Sequence, residues 1–393
     1  MLIEFPPMGV YETLFKFTDA TSKYMGDSGT HPWAQGYPLT SQLPNGPSLP
    51  ESISLNKLDL KYPKATGEIE LRQAISDYYN DHYSANITPE HVAVFAGGRP
   101  GLLANLAFLE SDVCVALEET EYTPYWDMLR LLDRKVHIIP SNIDNKFRPN
   151  HSDYDIEPME GTDRVLLLKS NPCNPTGVAL DPEGLQKLVE KYSQPGRGAM
   201  FDEAYEFYND PEPMSAISYV NDIDATNIFV IGAATKGLQV PGMRVGWIIA
   251  AQKHIELFRN YSSFGMGGVS RTSQLYVTEL LQRDRVAHAR KAVCEFYKSQ
   301  RERYAKGLQE LGFELYTGYG GFYHWGLLPN GLTADEFNER LFNHDAGILP
   351  GYLCDMTRDG DSGSPLDKFI RFSFGPLEAN TFENDMQILS ECV

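Results

Sequence analysis

Lys236 stands alone among small residues in Gly232-Ala233-Ala234-Thr235-Lys236-Gly237, so its amine can approach another flat molecule closely. Arg244 follows eight positions later, just past the Pro241-Gly242 turn, and adds a permanent cation with a planar donor fork. A lysine taken out of water beside another cation gives up its proton more readily and can form an imine with a carbonyl. The neighbouring fork suits a phosphate. The same residues also fit a surface lysine and a solvated arginine in a loop, because apolar runs flank them at Ile228 to Ile231 and Val245 to Ala250.

Other residues with chemical potential gather after apolar runs. Val165 to Leu168 leads into Ser170-Asn171-Pro172-Cys173-Asn174-Pro175-Thr176-Gly177, a rigid turn whose Asn174 amide can face a ligand or simply reverse the chain. Ala199 to Phe201 leads into Asp202-Glu203-Ala204-Tyr205, where a carboxylate and a phenol three residues on can meet opposite edges of one ring, or open a helix. Phe95-Ala96-Gly97-Gly98-Arg99-Pro100-Gly101 ends a strand and opens a helix, so its free amides can hold a phosphate, although a lone Gly-Gly is a weak signal. Together these groups ask for a ligand with a phosphate, a carbonyl, an aromatic ring nitrogen and an acidic phenol. Pyridoxal 5′-phosphate (PLP) meets that list, with a carboxylate keeping the ring nitrogen protonated so that the ring accepts electrons.

Positioning such residues needs strands that end on one side. Short apolar runs at His91 to Ala96, Val113 to Leu117, Lys135 to Ile139, Val165 to Leu168, Ala199 to Phe201, Asn227 to Ile231 and Val245 to Ala250 alternate with helical stretches such as Gly101 to Leu109, Trp126 to Leu132 and Pro182 to Tyr192. That pattern predicts an α/β fold: a mostly parallel seven-stranded sheet covered by helices, with its ligand beyond the carboxyl ends of the strands. After about Thr272 the pattern changes to a long charged helix (Asp284 to Leu311), a hairpin (Phe313 to Leu327), a helix (Thr333 to Phe342) and a strand (Lys368 to Phe374), which reads as a smaller α+β domain. The expected division is an N-terminal segment 1–50 packing with the small domain, a large cofactor-binding domain 51–285 and a small domain 286–393. Residues 1–50 are rich in Gly, Pro and Ser and read as loops, with the stretch holding His31, Trp33 and Tyr37 as a candidate lid whose aromatics are largely core.

The 393-residue chain carries 53 acidic and 34 basic side chains, a formal charge of -19, which disfavours non-specific binding to nucleic acid or an anionic membrane. Five cysteines without close pairs suit reduced thiols in the cytoplasm rather than a disulfide framework or a zinc site; no metal is expected. Met1 to Pro7 lacks the pattern of a secretory signal, and no apolar run approaches the roughly 18 residues of a membrane span.

The ordered set Asn174-Pro175-Thr176-Gly177, Asp202-Glu203-Ala204-Tyr205, Thr235-Lys236 and Gly242-Met243-Arg244-Val245-Gly246-Trp247 resembles class I/II aminotransferases, the aspartate aminotransferase branch of the fold-type I PLP enzymes, from about Lys61 to Arg371. The resemblance implies Lys236 as the imine-forming lysine and proton carrier, Asp202 as the partner of the ring nitrogen, and Asn174 and Tyr205 as ligands of the phenolic oxygen. It implies Arg244, with the amides of Gly98 and Arg99, as the phosphate site, and Tyr122 as the aromatic stacked on the ring; a core tyrosine is the other reading of Tyr122. Tyr62 matches a tyrosine that reaches the neighbouring subunit's phosphate, which implies a homodimer with shared sites. Arg371, in an otherwise apolar strand, matches the arginine that grips the substrate α-carboxylate together with Asn174; a structural salt bridge is the alternative. Gly347 to Gly351 and Gly320 to Tyr323 also look like family features of the small domain. Three residues depart from the pattern or vary within it: Ala233 stands where many members carry a phosphate-contacting serine, Tyr122 where the best-known aspartate enzymes have tryptophan, and Arg99 where some relatives place a lysine for a distal carboxylate.

The expected function is a PLP-dependent aminotransferase moving an amino group between an L-α-amino acid and a 2-oxo acid by a ping-pong cycle. A β-lyase, cyclase or oxidase on the same scaffold is the alternative. A cofactor-binding transcription regulator would need a basic DNA-binding domain in front, for which residues 1–50 are neither basic nor helical enough. A binding protein without cofactor ranks last.

Overall fold

Seven apolar runs become the strands of one sheet because both faces of that sheet are covered. The computed structural model describes residue 2 and residues 9–358 and 363–393. The start of the chain, read above for a leader, lies outside them save for Leu2. The strands are β1 (Val92–Phe95), β2 (Val113–Glu118), β3 (Val136–Ile139), β4 (Arg164–Ser170), β5 (Arg197–Asp202), β6 (Ile228–Ala233) and β7 (Gly246–Ile249), in the order β1-β7-β6-β5-β4-β2-β3. Residues alternate along each strand between two cores: Val165, Leu167, Ala199 and Phe201 enter one, Leu166, Leu168 and Met200 the other. All pairs are parallel except those of β7, which runs antiparallel to both β1 and β6.

Ten α-helices are described: α1 (Val10–Thr21), α2 (Ile69–Tyr83), α3 (Gly98–Ala107), α4 (Pro124–Leu131), α5 (Pro182–Tyr192), α6 (Gln252–Tyr261), α7 (Arg271–Leu280), α8 (Arg283–Glu310), α9 (Ala334–Phe342) and α10 (Phe382–Cys392). A second sheet, antiparallel, joins β8 (Glu314–Leu315), β9 (Tyr323–Leu327), β10 (Leu349–Pro350) and β11 (Phe369–Ser373) in the order β10-β11-β9-β8. The 28-residue α8, about 42 Å long at helical rise, lies between the two sheets in sequence. No described helix is long and apolar enough to cross a membrane.

One expectation is corrected near the start. Residues 10–21, read as loop, form α1, which packs on α9 and β10. Val10, Leu14 and Phe17 fall on one helical face and enter a core with Trp325, Leu349 and Phe369, and Phe17 meets Phe342 edge-on at 5.7 Å. The glycines and prolines that follow dominate the composition of that segment and hide this short period. Helices α6 and α7 and strand β10 were likewise not anticipated.

The antiparallel β7 brings Gly246 opposite both Phe95 and Ala233. A Cβ on Gly246 would come within 2.6 Å of the Gly97 carbonyl carbon and of the Gly98 amide nitrogen, backbone that cannot yield cheaply. Gly246→Ala is therefore expected to cost about 1–3 kcal/mol in denaturant unfolding, the usual range for overpacking. It should also push the first turn of α3 out of place.

Candidate active site

Three neighbouring strands end together. Ser170 closes β4 opposite Asp202, which closes β5 opposite Ile231 of β6. Just beyond these ends lies a cavity that opens to solvent. Gly98, Arg99, Tyr122, Asn174, Asp202, Tyr205, Lys236 and Arg244 all line it. Eight of the ten residues singled out from sequence thus meet in one place, and Arg371 reaches it through Asn174. Tyr62 does not: it is 95% exposed, away from its own chain's cavity, beside the exposed Leu58 and Leu60.

Lys236 sits in the turn after β6, half-buried. Its Nζ donates to the Gly36 carbonyl, and its own carbonyl accepts from the Tyr208 hydroxyl at 2.8 Å. The amine lies 5.7 Å from the centre of the Tyr205 ring. Burial lowers its pKa to about 7, assisted by the positive charges of Arg371, Arg99 and Arg244; Asp202 pulls the other way. Asp202 is buried, which raises its carboxyl pKa, while the Tyr125 hydroxyl at 2.9 Å and the Ala204 amide at 3.2 Å favour its charged form.

The cationic side of the cavity is built by α3 and the turn before β7. Gly98 and Arg99 begin α3, so their amides have no partner within the helix. Arg244 adopts a left-handed backbone (φ 52°), and its guanidinium packs so close to Gly97 that a side chain there would collide with it. Both arginines are exposed, and neither has a carboxylate partner among the described residues. A cluster of four cations around one carboxylate thus stands against the acidic field of the whole chain. Thr235 lines the same wall beside Ala233, the position where a serine was missed.

Arg371 lies on β11 and is 4% exposed. Its guanidinium donates to Asn174 Oδ1 at 2.9 Å and to the Ala34 carbonyl at 2.6 Å, and stacks on the Tyr323 ring at 4.3 Å. Its Nε is buried without a hydrogen-bond partner, and no carboxylate pairs with it among the described residues. The structural salt bridge considered for Arg371 is therefore not what holds it. Tyr122 is half-buried and meets Tyr125 edge-on at 5.3 Å. The Asn171-Pro172 bond in the turn before Asn174 is cis.

Sequence reasoning missed several groups. Tyr125 holds Asp202, and Tyr323 places its hydroxyl 2.5 Å from that of Tyr205. Tyr323 lies in the stretch Gly320 to Tyr323 singled out above and Tyr125 three residues past Tyr122, but no spacing assigns them partners. Of the lid segment, Trp33 is fully buried against Phe372 and His31 pairs with Asp385 on α10 at 3.1 Å; the backbone carbonyls of Ala34 and Gly36 are what reach the site.

Residues 32–381 match the family described as aminotransferase class I and II. The chain is 25% identical over 331 residues to an aspartate aminotransferase of Pyrococcus horikoshii, covering 82% of this chain and 80% of the relative. It is 25% identical over 284 residues to the L-glutamine--4-(methylsulfanyl)-2-oxobutanoate aminotransferase of Bacillus subtilis, covering 72% and 70%. Among solved structures, the aspartate aminotransferase from Thermus thermophilus with maleate shares the fold over the whole of both chains, with a TM-score of 0.82 at 19% identity. The chain is a member of the class I and II aminotransferases.

Proposed function

We propose that the cavity binds PLP and that the chain moves an amino group between an L-α-amino acid and a 2-oxo acid in two half-reactions. The observation that carries this reading is the amine of Lys236, which shares the cavity with Asp202 and feels three arginines that have no carboxylate partner among the described residues. The donor set suits the cofactor group by group. Arg244, the free amides of α3 and Thr235 offer a cationic, donor-rich pocket for a phosphate. Asp202, braced by Tyr125, faces a site where a protonated ring nitrogen would compensate its burial. Asn174 and Tyr205 offer polar groups to a phenolic oxygen, and Tyr122 a ring for stacking. The cofactor, once bound, supplies the aldehyde that captures an amino group and the ring that draws electrons from the bond being broken.

The chain's own residues then divide the work. Arg371, whose Nε has no partner among the described residues, grips the substrate α-carboxylate, which restricts substrates to α-amino and 2-oxo acids. Lys236, as a neutral amine, would take up and return the proton of the substrate α-carbon. Arg99, exposed and without an ion-pair partner among the described residues, favours substrates with an acidic side chain. The exposed Tyr62, with Leu58 and Leu60, supports a homodimer in which each Tyr62 serves the neighbouring site; sedimentation should give twice the mass of the chain. In this reading 51–285 carries the cofactor, 286–393 forms the small domain and 1–50 packs with it. The five free cysteines fit work in the cytoplasm.

Borohydride reduction of the yellow protein followed by peptide mass analysis tests the assignment. A phosphopyridoxyl adduct on Lys236 supports it; an adduct elsewhere, or none, refutes it. The pH dependence is a second test. At pH 7 roughly half of an amine with pKa 7 is neutral, against about one in three thousand for an ordinary lysine. Capture of the aldehyde by the apoprotein should therefore rise with pH around a midpoint near 7. Arg371→Met removes a cation and should move that midpoint upward; stopped-flow absorbance reads both.

A further inference from the structure

Glu121 is fully buried next to the cavity, yet none of the chemistry above uses it. It lies just past the end of β2. Its carboxylate accepts hydrogen bonds from the Ser170 amide at 3.1 Å, the Ser170 hydroxyl at 2.5 Å and the Tyr122 amide at 3.0 Å. The Ser170 oxygen accepts in turn from the Asn174 amide at 3.3 Å. Tyr122, Ser170 and Asn174 all line the cavity. The backbone amide of Glu121 donates at 3.0 Å to the carbonyl of Cys354, in the segment between β10 and β11, the strand that carries Arg371.

Behind Glu121 the charge is balanced inside the protein. The Lys169 ammonium lies 2.8 Å from Glu118 and 3.8 Å from Glu121, and all three side chains are at most 2% exposed. Glu118 also accepts from Tyr154 and, at 3.3 Å, from Ser141. Lys169 thereby supplies the cation that Glu118, Glu121 and Cys173, whose ligand-type atoms lie within 4.8 Å of one another, would otherwise ask of a metal. Burial raises the Glu121 carboxyl to about 7, Lys169 opposing and Glu118 adding to the rise. A buried ionic cluster of this kind adds little to stability compared with apolar packing, so its value lies in the groups it fixes.

We propose, on the transamination reading, that Glu121 is a positioning residue. Its carboxylate fixes Ser170 and the backbone of Tyr122, and through Ser170 the Asn174 turn that holds Arg371. The stacking side and the carboxylate-gripping side of the cavity thereby keep a set separation.

Glu121→Gln, Ser170→Ala and the double variant test this through three readouts: PLP affinity of the apoprotein by equilibrium dialysis, the KM and kcat for the best amino donor, and the melting temperature of the apoprotein. Glu121→Gln should weaken PLP binding about 10- to 100-fold, the range for hydrogen bonds to a charged group. It should raise KM about tenfold while kcat changes less than about threefold. Ser170→Ala should reproduce most of this, and the double variant should be no worse than Glu121→Gln, because both changes remove the same contact. Additive losses, or a lower melting temperature with PLP affinity and KM unchanged, would overturn the proposal. Should Glu121→Gln fail to fold, Ser170→Ala decides alone, with wild-type affinity and KM as the contrary result. A wild-type chain that releases no 2-oxo acid from any amino acid removes the transamination reading and this proposal with it. A transaminating wild type whose variants bind PLP and donor normally removes only the role of Glu121.

Discussion

Lys236→Ala is expected to lower kcat/KM about 10⁴-fold, the upper end of what a positioned proton-transfer group contributes. No other described amine can replace it: the other buried lysine near the site, Lys169, is held by Glu118 on the far side of Ser170. The loss should come without loss of the fold. Lys236 sits among the positive charges of Arg371, Arg99 and Arg244, so its removal relieves repulsion at the expense of one hydrogen bond to the Gly36 carbonyl. Thermal unfolding of the variant apoprotein should match or exceed the wild type, while steady-state turnover collapses. A variant that melts early would show instead that the turn around Lys236 is chiefly structural.

The second large effect is expected at Arg371. Arg371→Leu removes a buried fork whose Nε has no partner among the described residues and whose other nitrogens are already aimed by Asn174 and the Ala34 carbonyl. Losing one partner of a buried, hydrogen-bonded charge pair costs about 2–5 kcal/mol, or roughly 30- to 5000-fold in kcat/KM for α-amino acids. Most of it should appear in KM. Arg371→Lys should recover little, because an ammonium lacks the planar fork that meets a carboxylate with two parallel hydrogen bonds and does not stack on Tyr323 in the same way. A primary amine without a carboxylate provides the control: its slow turnover should change little in either variant. Equal losses for both substrate types would mean that Arg371 supports the cavity rather than the substrate.

The parts of this site legible in the sequence are those where one residue breaks a local pattern. Asp202 ends an apolar run, Arg371 interrupts one, and Lys236 is the lone amine among small residues. The seven strands were legible for the same reason, since a sheet buried on both faces demands unbroken apolar runs. Strand direction was not, because the run that forms β7 has the same composition whether it lies parallel or antiparallel. The partners supplied from afar were invisible too. The carbonyls of Ala34 and Gly36 carry no side-chain signature and lie 337 and 200 residues from the groups they accept from. Nothing in the sequence marks the partners of Tyr125 and Tyr323; the fold places their hydroxyls on Asp202 and Tyr205. Helix α1 was hidden by the composition of the segment around it, although Val10, Leu14 and Phe17 already held the right spacing.

The most direct measurement gives the cofactor-loaded protein an α-amino acid alone, without acceptor, and follows the cofactor absorbance together with the products of a single turnover. Transfer predicts loss of the aldehyde-state band, one 2-oxo acid released per site, the amino group retained on the cofactor, and recovery of the band when a second 2-oxo acid is added. Free ammonia released in step with the oxo acid, or an absorbance that no 2-oxo acid restores, would contradict it.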